Sequence, residues 1–321
     1  MTRRLSLRVA ALALALFTAA AVGQVFPSKP VRIIVPFPPG AVDLMARYLC
    51  EKFPQALGQP CLVENKPGAG AIIGIDFVAK AEPDGHTLLL APNNLSILPS
   101  LYAKLPFDAM RDLAPIALVS RTPVMIGGHP AFPPRSFQEF LAYVRDHPGK
   151  VNFTSCGLAS VQHLAGESLK VLAGLKMTHI PYKGCGPAEV DVLGGQVPVI
   201  ISNAARFMPQ IRAGKLRGYA LTGAQRTDLA PGYPTIAELG FPGYEFDVWF
   251  GLLAPGRTPK EIIGRLNAEA NRVIGLAEVK ERLRSQFYEP IGGTPEKFAE
   301  VIRADIERYG KVVREAGIKP E

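Results

Sequence analysis

Apolar residues along this chain fall into two rhythms. Short, mainly apolar runs at 31–35, 61–63, 87–91, 151–154, 177–181 and 197–201 alternate with longer stretches in which apolar and polar positions mix. The short runs predict strands covered on both faces, and the stretches between them predict helices. A helix is expected over 43–57, stopped by Gly58, and another from the Gly68–Gly74 segment to about 81. Within 160–172, Val161, Leu164, Ala165, Ser168, Leu169 and Leu172 recur at i, i+3, i+4, which gives one core-facing stripe, and Gly174 supplies a stop. A further helix is expected over 187–193, and Ala220-Leu221-Thr222 reads as the start of another strand–helix unit. Ser136/Glu139, Thr235/Glu238 and Thr258/Glu261 have capping-box spacing, the last with Pro259 at the first helical position, and the chain from 259 to 316 reads as mostly helical. Strands alternating with helices predict an α/β fold with a parallel sheet between helical layers.

Two long apolar passages, 114–127 and 246–254, interrupt this rhythm; the second holds Trp249, the single tryptophan. They read as crossings between two lobes. The expected division is lobe 1 over 24–122 plus 247–321 and lobe 2 over 123–246, with a hinge that permits closure on a ligand. Residues 1–23 stand apart. Arg3, Arg4 and Arg8 precede an apolar run from 9 to 22 that ends in small residues. This is the pattern of a secretory signal cleaved near 21–24, too short to span a bilayer, and it predicts a periplasmic location. Removing those three arginines lowers the formal charge from +8 to +5. That balance suits acidic small ligands; without a Lys/Arg block interleaved with aromatics, nucleic acid is not an expected partner.

Export also opens the question of disulfides. Cys50, Cys61, Cys156 and Cys185 allow three connectivities, none from a C-x-x-C pair, and the reading favours four unpaired thiols. The Gly68–Gly74 segment resembles a dinucleotide fingerprint, but its last spacing is one residue too long, so the glycines are read as a tight turn and no cofactor is expected. His163 and Glu167 share a helix face without a third ligand, so no metal is expected; His86, His129, His147 and His179 are read as scattered.

Candidate chemistry gathers where strands give way to helices. In the first such loop, Pro38, Pro39 and Gly40 set a turn that exposes backbone N–H groups, and Asp43 is placed to cap the next helix. Phe37, Pro39, Gly40, Ala41 and Asp43 are therefore ligand candidates. Asn93 and Asn94 follow the third strand. Ser155, Gly157, Ala159, Ser160 and His163 form a matching loop in the second lobe, where Ser160 reads as a helix cap, and Tyr182 and Lys183 form another. Ser202 and Asn203 close the set. Helix amino termini attract anions, so two of them facing one another would clamp a dianion. A secreted hydrolase would need Ser155 or Cys156 paired with His163, and no nucleophile-elbow or metalloprotease motif accompanies them.

Ordered along the chain, several segments are familiar: Val35-Pro36-Phe37-Pro38-Pro39-Gly40 with Asp43, Glu64-Asn65-Lys66-Pro67-Gly68-Ala69-Gly70, Pro83-Asp84-Gly85-His86-Thr87, His163-Leu164-Ala165-Gly166-Glu167, Pro181-Tyr182-Lys183-Gly184, Ala213-Gly214-Lys215-Leu216-Arg217 and Trp249-Phe250-Gly251. With them the chain resembles the Bug family, the extracytoplasmic solute receptors of tripartite tricarboxylate transporters. The resemblance implies a type II periplasmic-binding-protein fold: two lobes of mixed sheet flanked by helices and joined by two crossing strands. It also implies a monomeric receptor, not an enzyme, that holds a small carboxylate between the lobes, often through bridging waters, and delivers it to membrane subunits; presentation to a signalling protein is the alternative output. The chain departs from the family pattern at three points. Gly40-Ala41-Val42-Asp43 is one residue short, Ala159 stands where a glycine is usual, and Ser202 stands where many members carry an aspartate.

Overall fold

The computed structural model describes residues 26–158 and 160–319, so the leader and Ala159 lie outside the described residues. Ten strands form one continuous mixed sheet in the order β2-β1-β3-β9-β4-β7-β5-β6, with β10 and β8 pairing on β4. The first arm contains β1 (Val31–Val35), β2 (Cys61–Asn65) and β3 (Thr87–Pro92), all parallel. The second contains β5 (Val151–Thr154), β6 (Met177–Ile180) and β7 (Val199–Asn203), also parallel. Between them runs β4 (Leu113–Gly128), 16 residues long. Its first half pairs antiparallel with β9 (Asp247–Pro255) and β10 (Glu289–Gly292), and its second half with β7 and β8 (Arg217–Leu221). The fold is α/β of the type II periplasmic-binding-protein kind, with the mixed sheet curled between helices.

The apolar runs of β1, β3 and β7 are strands covered on both faces, whereas β2 and β6, at the two edges of the sheet, are only partly covered. Ile33 and Ile34 point to opposite faces of β1, and both are fully buried. One core fills the space under α1 (Ala41–Leu57) and continues to α5 (Val161–Ala173) in the second arm. A second lies beneath α2 (Ile72–Ala79), α3 (Asn94–Leu101) and α10 (Pro295–Glu315). A third lies beneath α6 (Cys185–Leu193) and α7 (Ala204–Arg212). Trp249 sits in the second core, its ring edge-on to Phe298 and its Nε1–H bonded to Asp305 at 2.7 Å. Helices α4 (Phe137–Asp146), α8 (Lys260–Gly275) and α9 (Ala277–Ser285) complete the layers. Among the described residues no helix is long and apolar enough to cross a membrane.

Several expectations need correction. The cysteines are paired: Cys50 bridges to Cys61 and Cys156 to Cys185, with Cα–Cα separations of 4.9 and 4.0 Å. Each bridge joins residues that neighbouring strands and helices already bring together, which sequence spacing does not reveal; in the chain-entropy view they constrain the unfolded state by about 3–4 kcal/mol each. β8 is antiparallel and leads into turns rather than a further strand–helix unit. Thr235 and Glu238 do close a reciprocal capping box, but around a turn only. The Thr258 hydroxyl donates to the Pro255 carbonyl, so α8 begins at Lys260 with Pro259 at its cap position.

Candidate functional site

Strand pairing fixes where the loops of the two arms point. β3 is antiparallel to β9, and β9 to β4, so β1 and β3 run in the direction of β4. β7 is antiparallel to β4, and β5 and β6 run with β7. The carboxyl ends of β1 and β3 therefore face the carboxyl ends of β5, β6 and β7 across the middle of β4. Ligands of open α/β sheets bind at such strand ends. Each of these strands leads into a helix amino terminus, α1, α3, α5, α6 and α7 in turn. Four of those helices, begun by Gly40, Asn93, Gly184 and Asn203, have no side-chain cap. Their first amide groups and the positive ends of their dipoles are left for another acceptor.

In the first arm Pro39 and Gly40 are exposed and Ala41 is half-buried, so this turn is open to solvent. Phe37 packs on the core, and its carbonyl accepts from Asn65 Nδ2 at 3.0 Å. Asp43 corrects the sequence reading. The helix begins at Ala41, which puts Asp43 at its third residue rather than at the cap. Its buried carboxylate is gripped by Arg47 one turn on, at 2.7 and 3.1 Å. Asn93 is also committed to the scaffold: its Nδ2 donates to the Asp247 carbonyl at 2.8 Å and to the Tyr309 hydroxyl at 2.9 Å. Asn94 donates to the Gly70 carbonyl, and its Oδ1 is buried without a hydrogen-bond partner.

In the second arm Ser160 caps α5 as expected, accepting from the His163 N–H at 3.1 Å and donating to the Gly157 carbonyl at 2.6 Å. Gly157 has φ +114°, and a Cβ there would lie 2.5 Å from the Tyr182 carbonyl oxygen. Ser155, fully buried, meets His179 Nε2 at 2.8 Å. The ring of His179 stacks on that of His163 with centroids 4.3 Å apart. His179 is not legible as a site residue from sequence; only its place at the end of β6, beside β5, brings it there. Burial, reinforced by the Lys170 charge, lowers His163 to about 4; burial, with His163 and Lys170 behind it, lowers His179 to about 3. Both rings are neutral at pH 7.

The remaining second-arm candidates divide. Tyr182 is bound through its hydroxyl to Asp191, which with burial pushes the phenol up to about 12. Lys183 is exposed. Asn203 accepts from Gln162, which fixes it to α5. Ser202 is buried, and its Oγ has no partner; the same holds for His163 Nδ1 and, in the middle of β4, for Thr122 Oγ1. Buried polar atoms are normally paired, so unpaired ones at facing strand ends mark where a polar ligand or its waters would bond. Asp247, at the start of β9, is pushed up to about 6 by burial. Thr122, Gln162 and Asp247 carry no local sequence signal; the crossing strands β4 and β9 place Thr122 and Asp247, and the first turn of α5 places Gln162.

The hydrolase arrangement is not formed. Cys156 is tied up in its disulfide, and Ser155 meets His179 rather than His163. Held near 3, His179 is a poor base. Among the described residues no group of three or more His, Cys, Asp or Glu could hold a metal. A surface groove of about 870 Å³, lined by Lys29, Arg32, Leu62, Phe77 and His86, lies at the opposite, amino-terminal ends of β1 and β3, and its charges pair with one another, as in Lys29–Asp84 and Lys80–Asp76.

The histidine pair sets a pH dependence. A folded-state value below the ordinary 6.5 means that the unfolded chain binds these protons more readily. Stability from this source is full above about pH 6.5 and falls as the pH drops towards 4 and 3. Asp247 acts in the opposite sense, losing stability as the pH rises through about 6. Melting curves between pH 4 and 8 should show that His179→Asn flattens the acid-side fall and leaves the slope above pH 7 unchanged. An identical profile in the variant would mean that the pair does not titrate as its burial requires.

Two opposed arms with facing helix amino termini have the architecture of a two-lobed solute-binding protein. The family model of the tripartite tricarboxylate transporter family receptors (TctC) matches residues 45–318, and the chain belongs to that family. It is 37% identical over 322 residues to the protein BugT of Bordetella pertussis, with 99% of each chain covered. Two solved structures are similar at 32% identity: an R. palustris protein with adipate (TM-score 0.84, covering 92% of this chain and 100% of that one) and MatC of Rhodopseudomonas palustris with bound malate (TM-score 0.80, covering 90% and 100%).

Proposed function

We propose that this chain is a periplasmic receptor that captures a small carboxylate between its two lobes and hands it to the membrane subunits of a tripartite tricarboxylate-type transporter. The lobes are those read from the sequence, 24–122 plus 247–321 and 123–246, and they close about the middle of β4 and the start of β9. The observation that carries the reading is the opposition of uncapped helix amino termini from the two arms. Backbone amides at Gly40 and Ala41 take one end of the ligand. Amides at the uncapped starts of α6 and α7 take the other, beside the loop that carries Gly157 and Ser160. Asn94, His163, Ser202 and Thr122 supply further bonds directly or through water, and Asp43, Asn93, Tyr182 and Asn203 hold the walls. Each charge-assisted hydrogen bond contributes about 1.5–3 kcal/mol. The neutral histidines remove any need for a charged partner in the ligand beyond its carboxylates. That relatives of this family hold adipate and malate supports a dicarboxylate.

Titration calorimetry and thermal melts with adipate and malate test this directly. At a hundredfold excess over Kd, binding to the folded state alone adds about 2.7 kcal/mol, so Tm should rise by several degrees. Chloride at equal ionic strength should have no such effect. If a panel of mono-, di- and tricarboxylates leaves both Tm and heat unchanged, the reading is wrong.

A further inference from the structure

We propose that the Cys156–Cys185 bridge is a positioning element of the binding site: it fixes the two ligand-facing loops of the second arm against each other, whereas Cys50–Cys61 serves stability alone. The inference rests on the carboxylate reading above and deepens it.

The two bridges occupy different places. Cys50 lies in α1 and Cys61 opens β2, at the amino-terminal end of that strand and away from the facing strand ends. Cys156 lies in the loop after β5, between Ser155 and Gly157, and Cys185 is the first residue of α6, in the loop after β6. Both loops point into the gap. The strand β6 ends the sheet, so it has a neighbour on one side only, and the four paired positions Val151–Thr154 with Met177–Ile180 are all that the sheet contributes. Beyond Ile180 the chain is largely solvent-facing, with Pro181 and Lys183 exposed. An edge strand of this length leaves its following loop poorly fixed.

Three other contacts tie the same two loops together. Thr154 Oγ1 donates to the Ile180 carbonyl at 2.9 Å. Ser155 Oγ meets His179 Nε2 at 2.8 Å. Gly157 lies so close to Tyr182 that a methyl would meet its carbonyl oxygen at 2.5 Å. The bridge is the covalent member of this set and the one nearest the amino terminus of α6. Without it, the approach of Gly157 to Tyr182 depends on hydrogen bonds at the sheet edge, and the amides of both helix ends lose their shared frame. Preorganised donors bind an anion without the cost of ordering them on arrival.

The test compares two paired variants, Cys156→Ser/Cys185→Ser and Cys50→Ser/Cys61→Ser, with the oxidised wild-type protein. Both pairs should lower Tm. Only the first should weaken adipate and malate binding, by about tenfold or more, with the loss chiefly in the dissociation rate. Hydrogen exchange in the ligand-free proteins gives a readout independent of any ligand: amides of 155–163 and 181–188 should exchange faster in the first pair and stay unchanged in the second. Equal affinities for the two pairs, or unchanged exchange in both loops, overturns the positioning role. If wild-type protein binds no carboxylate, the receptor reading fails by itself, and the exchange measurement still decides whether the bridge orders the loops.

Discussion

Gly157→Ala is expected to cost about tenfold to a hundredfold in carboxylate affinity. The residue sits at φ +114°, outside the range that a side-chain-bearing residue adopts without strain, and the added Cβ would lie 2.5 Å from the Tyr182 carbonyl oxygen. Neither atom can swing aside, because both belong to or are fixed by the backbone. The loop must move, and with it the amides and the Ser160 hydroxyl that receives its geometry from the Gly157 carbonyl. Losing one charge-assisted hydrogen bond to ligand accounts for about 1.5–3 kcal/mol, which is the quoted range in Kd. Gly174→Ala is the matched control. It lies at the other end of α5, at φ +63° with nothing within 4 Å of an added methyl, and should lose about 1 kcal/mol of stability with no change in affinity. Equal affinity in the two variants would show that the Gly157 loop does not face the ligand.

Asn93→Ala is expected to produce the other large effect, on stability. The side chain is 1% exposed, and its amide joins three segments: its own at the end of β3, the Asp247 carbonyl at the start of β9, and Tyr309 on α10. Truncation leaves a buried carbonyl and a buried hydroxyl short of a donor, for a loss of about 2–4 kcal/mol. For a chain of this size Tm should fall by roughly 3–6 °C. Asn94→Ala provides the contrast. Its Oδ1 has no protein partner, so its removal should weaken ligand binding several-fold while Tm falls less. Affinity lost at Asn93 and stability lost at Asn94 would reverse the assignment of these neighbours.

Neighbouring residues of one chemistry thus differ in what they bond, Asn93 joining three segments and Asn94 keeping an unpaired oxygen, and such differences mark how far the sequence is legible. Ser160 is readable as a cap because the capping geometry spans three residues, and the structure shows it. Thr258 has the same spacing, yet its hydroxyl turns back to Pro255, because the Pro259 that follows it occupies the cap position. Asp43 is readable as near the first loop. Its role is not, because the helix begins two residues before it, at Ala41, and Arg47 takes the carboxylate. His179 gives no signal at all, since its partners Ser155 and His163 belong to other elements.

Local patterning determined what folds by local rules. Short apolar runs become strands, stripes at helical spacing become helices, and Pro/Gly turns set where one yields to the other. The family motifs along the chain settled the class of protein. Tertiary structure alone decided which strand ends face each other, which cysteines join, and which asparagine keeps a buried oxygen unpaired. Those outcomes depend on contacts such as Asn93 with Asp247, 154 residues apart, or Cys156 with Cys185, 29 apart. No periodicity in a single chain encodes which distant segment will arrive beside it; the antiparallel pairing of β4 with β9 and β7 does.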